Sequence, residues 1–197
     1  MKQACRTAAG ICTARAFALV AWLAVAAWAS ISVVHAQDDA AALERRVKAA
    51  YMFKFASYVE WPEGTFAQPA APVTIVVFGD DDLAAELGQI TAGRTVEGRP
   101  LRIRKTRDPD GIGDAHMLFV GRAEIARLPQ LVRQTRQRPM VILTDAPGTL
   151  TQGSVINFML VEQRVKFEIS LEEAERRGLK LSSRLLAVAQ SVRKPAP

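Results

Sequence analysis

Residues 156–169 read alike in both directions from their midpoint. Apolar Ile156, Phe158 and Leu160 alternate with Asn157, Met159 and Val161. After Glu162-Gln163 the alternation resumes, with Val165, Phe167 and Ile169 against Lys166, Glu168 and Ser170. A period of two is strand spacing. Folding the segment about Glu162-Gln163 sets Leu160 opposite Val165, Phe158 opposite Phe167 and Ile156 opposite Ile169 on one side. The other side pairs Met159 with Lys166 and Asn157 with Glu168. The predicted hairpin is therefore apolar on one face and mixed on the other. A two-stranded ribbon is not stable alone, so the rest of the chain must cover its apolar face. The first and last helices are the candidates for that layer.

The remaining pattern alternates helices and strands. Ala40 to Tyr58 reads as a helix, with Leu43, Val47, Ala50, Phe55, Tyr58 and the stem of Lys54 on one face. Asp38 or Asp39 caps it, and Pro62 disfavours helical backbone at Trp61. Val73 to Phe78 is a continuous apolar run, as in a central strand covered on both faces. Gly79-Asp80-Asp81-Asp82 caps a short helix, Leu83 to Ile90. Arg94 to Pro100 is turn-like, Leu101 to Lys105 a half-exposed strand, and Asp108 to Gly111 a turn. His116 to Val120 and Met140 to Thr144 are further strands. Between them Ala123 to Gln134 is an amphipathic helix, kinked or broken early by Pro129. Thr149 to Ser154 is a polar turn. Ser170 and Glu173 form a capping box for Leu171 to Arg177, and Gly178 stops that helix. Ser182 or Ser183 opens a last helix to about Val192, with Leu185, Leu186, Val188 and Ala189 inward. This order predicts an α/β fold: a Rossmann-like open sheet with helices on both faces and a C-terminal antiparallel hairpin. No repeat or second domain is visible.

The N-terminus has a different character. Lys2, Arg6 and Arg15 precede an apolar run, Ala16 to Ile31, and Val34-His35-Ala36 forms a small-x-small site before Gln37. That is the anatomy of a secretory signal peptide over residues 1–36. The alternative is an uncleaved anchor, since about 16 to 19 residues come close to a membrane span. Cleavage is the reading adopted, because polar Gln37-Asp38-Asp39 follows at once. Both cysteines, Cys5 and Cys12, then leave with the signal, and the exported chain forms no disulfide despite an oxidising destination. Removing Lys2, Arg6 and Arg15 from the 26 basic residues leaves 23 against 20 acidic ones, a net charge of +3 instead of +6. That balance gives no ground for nucleic-acid binding. The expected domain is residues 37–197, about 161 residues, enough for one core.

Chemistry-bearing clusters are few. Three carboxylates at Asp80 to Asp82, with Asp145 at a later strand end, lie where α/β sheets bind ligands and have the composition of a Mg²⁺ site. Helix capping accounts for them more simply, and no lysine marks the matching strand end. The stretch lacks G-x-G-x-x-G, and its charge repels phosphate. His116 has no cysteine, second histidine or carboxylate at ligand spacing and reads as structural. Gly153-Ser154 lacks the surrounding G-x-S-x-G. No catalytic set, cofactor or metal is expected, and the chain reads as a non-enzyme. Arg94, Arg99, Arg102, Arg104, Lys105 and Arg107 form a basic cluster, either solvated or facing an acidic partner. Tyr51, Phe53, Phe55, Tyr58, Trp61 and Phe66 read first as core, with a partner-binding stripe as the alternative.

Several separated motifs resemble the YfiR-like family of bacterial periplasmic proteins. They are Val47-Lys48-Ala49-Ala50-Tyr51 with Phe55, Val59-Glu60-Trp61-Pro62, Gly153-Ser154-Val155-Ile156-Asn157-Phe158, Val165-Lys166-Phe167-Glu168-Ile169, and Gly178-Leu179-Lys180-Leu181-Ser182-Ser183-Arg184-Leu185-Leu186. The resemblance spans about Val47 to Val192. It implies a Rossmann-like domain without assigned catalysis. It also implies a periplasmic regulator that binds the outer part of an inner-membrane diguanylate cyclase, or a sensor kinase, and lowers cyclic-di-GMP. A homodimer is consistent with it. Neither nucleic-acid binding nor membrane insertion after signal cleavage is expected. A sensor module that binds a small molecule near Gly79, Val120 and Asp145 is the alternative. Two features depart from the family. The disulfides of its best-known member cannot form here, so redox control is not carried over, and Glu162-Gln163 stands where glycine is common. The candidate partner contacts are Trp61, Arg102, Arg104, Asn157, Lys166 and Glu168.

Overall fold

A computed structural model describes residues 39–195. The expected signal segment lies outside them. The chain divides into two units, Met1–Leu43 and Glu44–Pro197. Of the first, only 39–43 are described, as the opening of a helix, α1, that runs over residues 39–56.

In the second unit, long-range pairing organises an eight-stranded sheet. Its centre is parallel: β7 (Ile156–Val161), β6 (Val141–Thr144), β5 (Met117–Val120), β2 (Val73–Phe78) and β4 (Arg99–Thr106), in that spatial order. The short β3 (Thr95–Val96) adds antiparallel to β4. On the other side β8 (Arg164–Ser170) adds antiparallel to β7, and β10 (Ser191–Arg193) adds parallel to β8. A separate two-stranded ribbon joins β1 (Val59–Glu60) to β9 (Lys180–Leu181). It sets the Val59-Glu60-Trp61-Pro62 and Gly178–Ser183 motifs side by side, with the Ser182 N–H donating to Tyr58 O at 2.9 Å.

The apolar runs of β2, β5 and β6 are explained by burial on both faces. Ile75, Val77, Met117, Phe119, Val141 and Leu143 enter one core. They pack with α1, with Leu83 and Leu87 of α2 (Asp81–Thr91), with Ala174 of α4 (Leu171–Arg176) and with Leu185 of α5 (Ser183–Val188). Val76, Phe78, Leu118, Val120 and Ile142 point the other way, against Leu128 and Leu131 of α3 (Leu128–Gln134). Helices on both faces and a C-terminal antiparallel hairpin are thus features of the fold.

The hairpin has the predicted register at every pair: Ile156 with Ile169, Asn157 with Glu168, Phe158 with Phe167, Met159 with Lys166 and Leu160 with Val165. Phe158 and Phe167 are buried, and Tyr51 and Phe55 of α1 cover them; the Phe55–Phe167 ring centroids lie 4.9 Å apart. Leu160 departs from the expectation. It is 52% exposed, because the hairpin extends past the ends of the parallel strands.

Four further expectations are corrected. The buried stripe of α1 is Lys48, Ala49, Met52, Phe55 and Ala56, whereas Leu43 is 63% exposed. The helix is turned by one to two residues, roughly 100° each, and this carries Lys48 inward. Ala123 to Gln134 is not one helix: a 3₁₀ segment, Arg122–Arg127, precedes α3, and Pro129 sits in the first turn of α3, where its missing N–H costs nothing. The turn expected over Arg94 to Pro100 is present but confined to Glu97-Gly98, both at positive φ, while Thr95–Val96 and Arg99-Pro100 on either side are strand residues that pair antiparallel. The last helix ends at Val188, leaving Val188 64% exposed. The following residues become β10, which pairs with the edge of β8 and satisfies backbone groups that a helix would leave open.

Candidate functional site

Polar groups concentrate at two ends of the sheet. The first concentration is the base of the hairpin. Thr144, the last residue of β6, lies level with Asn157 of β7. Asn157 Oδ1 accepts from Thr144 Oγ1 at 2.9 Å and from the Ala146 N–H at 3.2 Å, and its Nδ2 donates to Glu168 Oε1 at 2.9 Å across the hairpin. Thr144 Oγ1 is also 2.6 Å from Thr149 Oγ1 and 2.9 Å from Ser154 Oγ. One residue on, Asp145 Oδ2 receives Lys48 Nζ at 2.7 Å, and Lys48 also pairs with Glu44 at 2.6 Å. The Asp145 carbonyl accepts from Arg122 Nε and Nη2. Helix α1, the end of β6 and the hairpin are thereby clamped through buried polar contacts.

Asn157 is only 2% exposed. It is a member of the clamp, and its side chain is closed off from the surface. Glu168 and Lys166, on the same hairpin face, are half-buried. Periodicity does not single out Lys48 as a site residue, because it sets the buried face of α1 one to two residues away. Its place in the Val47–Tyr51 motif was the available signal.

The strand ends near Gly79 and Val120 are filled. Asp80 caps α2, its Oδ1 accepting from the Leu83 N–H at 3.0 Å. Asp81 pairs with Lys105 and Arg107 at the surface. Gly79, at φ +80°, lies so close to Glu124 that a Cβ would stand 2.2 Å from its Cγ. The aspartates are therefore capping and surface residues. Among the described residues, no group of three or more His, Cys, Asp or Glu side chains is placed to hold a metal ion.

The second concentration lies at the opposite, N-terminal ends of β2, β5 and β6. There a cleft of 780 Å³ is lined by Phe66, Arg102, Asp114, His116 and Arg138, among others. The Phe66 ring stacks on His116 with centroids 4.5 Å apart, and the Arg99 guanidinium sits 4.0 Å above the ring of Phe66. Trp61 meets both rings edge-on. His116 Nδ1 accepts from the Thr74 N–H at 3.1 Å, which makes it the neutral tautomer protonated at Nε2. Burial lowers its pKa from 6.5, with Arg99 acting in the same direction and Asp114 and the Thr65 backbone opposing. Arg102 lines the cleft and is exposed. Arg104 is engaged within the fold, donating to Asp114 Oδ1 at 2.8 Å and to Gly111 O. The six candidates thus fall into two groups. Trp61, Arg102 and Arg104 gather around residues 111–116, and Asn157, Lys166 and Glu168 lie on the hairpin.

The sequence matches the family DUF4154, described as YfiR/HmsC-like, over residues 45–190. The chain belongs to that family, whose members are periplasmic, non-catalytic regulators of cyclic-di-GMP signalling. The matched span includes both polar concentrations. No curated protein matches the sequence. Among solved structures, a conserved domain protein from Vibrio cholerae O1 biovar El Tor is similar at 12% identity and a TM-score of 0.47, over 61% of this chain and 55% of that one. An ABC domain from Streptococcus pneumonia, solved in complex with L-Trp, is similar at 12% identity and a TM-score of 0.47, over 64% of this chain and 56% of that one. This chain spans just over half the length of each, a likeness too loose to bear on function. No helix of the described residues is long and apolar enough to cross a membrane.

Proposed function

We propose that this chain is an exported regulator that binds the periplasmic part of an inner-membrane diguanylate cyclase, holds it inactive and so lowers cyclic-di-GMP. The family match over residues 45–190 carries the reading. The physical requirement is differential affinity: the domain must bind the inactive state of its partner more tightly than the active one. The surface that suits this role is the outer half of the hairpin. There Leu160 is exposed on one face of the ribbon, opposite Val165, while half-buried Lys166 and Glu168 lie on the other face, so the projecting end offers an apolar contact on one side and charged ones on the other. Trp61 and Arg102 form a second candidate surface. Deleting the gene should raise cellular cyclic-di-GMP, and re-expression with Leu160→Asp should fail to lower it. An unchanged level in cells shown to make the protein would overturn the cyclase reading.

A sensor module acting with a kinase or receptor is the second reading. The observation in its favour is the 780 Å³ cleft, which lies within the size range of small-molecule sites, about 300–1,000 Å³. It lies at the opposite end of the strands from the location first expected. Under this reading, Arg102→Glu alters signalling while leaving partner binding intact.

A further inference from the structure

A second cleft, of 730 Å³, opens between the C-terminal end of α3, the 3₁₀ turn Thr149–Gln152 and α4. Four arginines line it: Arg133, Arg136, Arg176 and Arg177. Gln137 and Gln152 add amide donors, and Glu173 is the one acidic residue of the lining among the described residues. Arg176 is occupied, paired with Glu172 and with Glu173. The other three have no ion pair among the described residues.

Arg133 and Arg136 are exposed, and cations near the C-terminal end of α3 are favoured by the helix dipole. A solvated helix end would account for those two. It does not account for Arg177, which is only 6% exposed. Its Nη1 donates to Thr135 O at 3.1 Å, and its Nε is buried with no partner among the described residues. Burial of that guanidinium is costly; the nearby Glu173 carboxylate opposes the cost without forming an ion pair with it, and one carbonyl offsets only a further part. The fold therefore holds a cation at the floor of a concave site whose rim carries two more.

The lining also limits the ligand. Among the described residues no aromatic ring faces the cleft, so there is no stacking platform for a flat base. Guanidinium forks match phosphate oxygens two at a time, and amide N–H groups complete such a shell. Gly153, at φ +102°, forms a wall of backbone against Val132, and a Cβ there would stand 2.6 Å from Val132 Cγ1. A flat acidic protein surface cannot reach a floor this buried. We propose that this cleft binds a compact phosphate group with more than one negative charge, carried either by a small solute or by a lipid headgroup. The proposal does not depend on the identity of the membrane partner.

The test uses the purified full chain and two probes: inorganic pyrophosphate by titration calorimetry, and flotation with phosphatidylcholine vesicles containing phosphatidic acid. The variant is Arg133→Gln/Arg136→Gln, whose exposed positions leave the melt unchanged. Pyrophosphate should bind the wild type and weaken in the variant by about tenfold for each charge-assisted hydrogen bond removed. Vesicle binding that disappears in the variant, without pyrophosphate binding, supports the site and assigns the phosphate to lipid. Absence of binding to both probes overturns the proposal. So does equal affinity of wild type and variant, or binding of a polyglutamate peptide in place of either probe.

Discussion

Lys48 and Asp145 lie 97 positions apart in the chain, yet their side chains meet at 2.7 Å with both residues buried. Removing one member of a buried ion pair strands the other. Lys48→Met should lower unfolding free energy by about 3–5 kcal/mol. The double variant Lys48→Met/Asp145→Leu should recover much of the loss, and urea unfolding of the four proteins measures the coupling. Additive losses would show that the contact is incidental.

Asn157 both accepts and donates at the hairpin base. Asn157→Ala leaves the Ala146 N–H and the Thr144 hydroxyl without this acceptor, at a cost of about 1–3 kcal/mol. Asn157→Asp should cost more, because the donor to Glu168 becomes a second carboxylate. Equal urea midpoints for the two variants would contradict this ordering.

Phe167 is 2% exposed and lies against Phe55 and Tyr51. Phe167→Ala should destabilise by about 3–5 kcal/mol. Leu160→Ala, on the same nominal face but exposed, should fall within about 0.5 kcal/mol of wild type. Thermal melts of the pair separate a buried face from an apolar one.

The hairpin turn places Glu162 at φ 49° and Gln163 at φ 59°. Side chains there cost roughly 1–2 kcal/mol each, and Asn-Gly suits the turn. Glu162→Asn/Gln163→Gly should therefore raise stability by about 1 kcal/mol or more. An unchanged urea midpoint would mean that the strands alone set this conformation.

His116 makes stability depend on pH. Burial holds its folded pKa below 6.5, so the unfolded chain takes up the proton first as pH falls. The contribution is complete above 6.5 and declines as pH drops through 6.5 to the lowered folded value. Protonation at Nδ1 also removes the acceptor for the Thr74 N–H. His116→Asn keeps an acceptor near that position, and its urea midpoint should stay flat across the window where the wild type declines.

The hairpin register was legible in full, because pairing about a two-residue turn depends only on positions a few residues apart. The Ser170 cap, with Oγ accepting from the Glu173 N–H, and the Gly178 stop were legible for the same reason. The family motifs added identity, yet did not show that Lys48, Asn157 and Glu168 gather around one strand end.

The rest required three-dimensional contact. Helix α1 carries two competing apolar stripes, Leu43/Val47/Ala50 and Ala49/Met52/Ala56, and three-and-four spacing admits both. The choice between them fell to Asp145, Phe158 and Phe167, distant in the chain, which present an anion and two rings to one side of the helix. The same holds for Arg177. Its burial against Thr135 follows from the way α3 and α4 pack, and no local pattern of residues encodes it. Periodicity and caps are short-range properties written in neighbouring residues. Which buried charge meets which partner is settled only when the sheet closes and water is excluded, because desolvation makes one pairing far better than its alternatives.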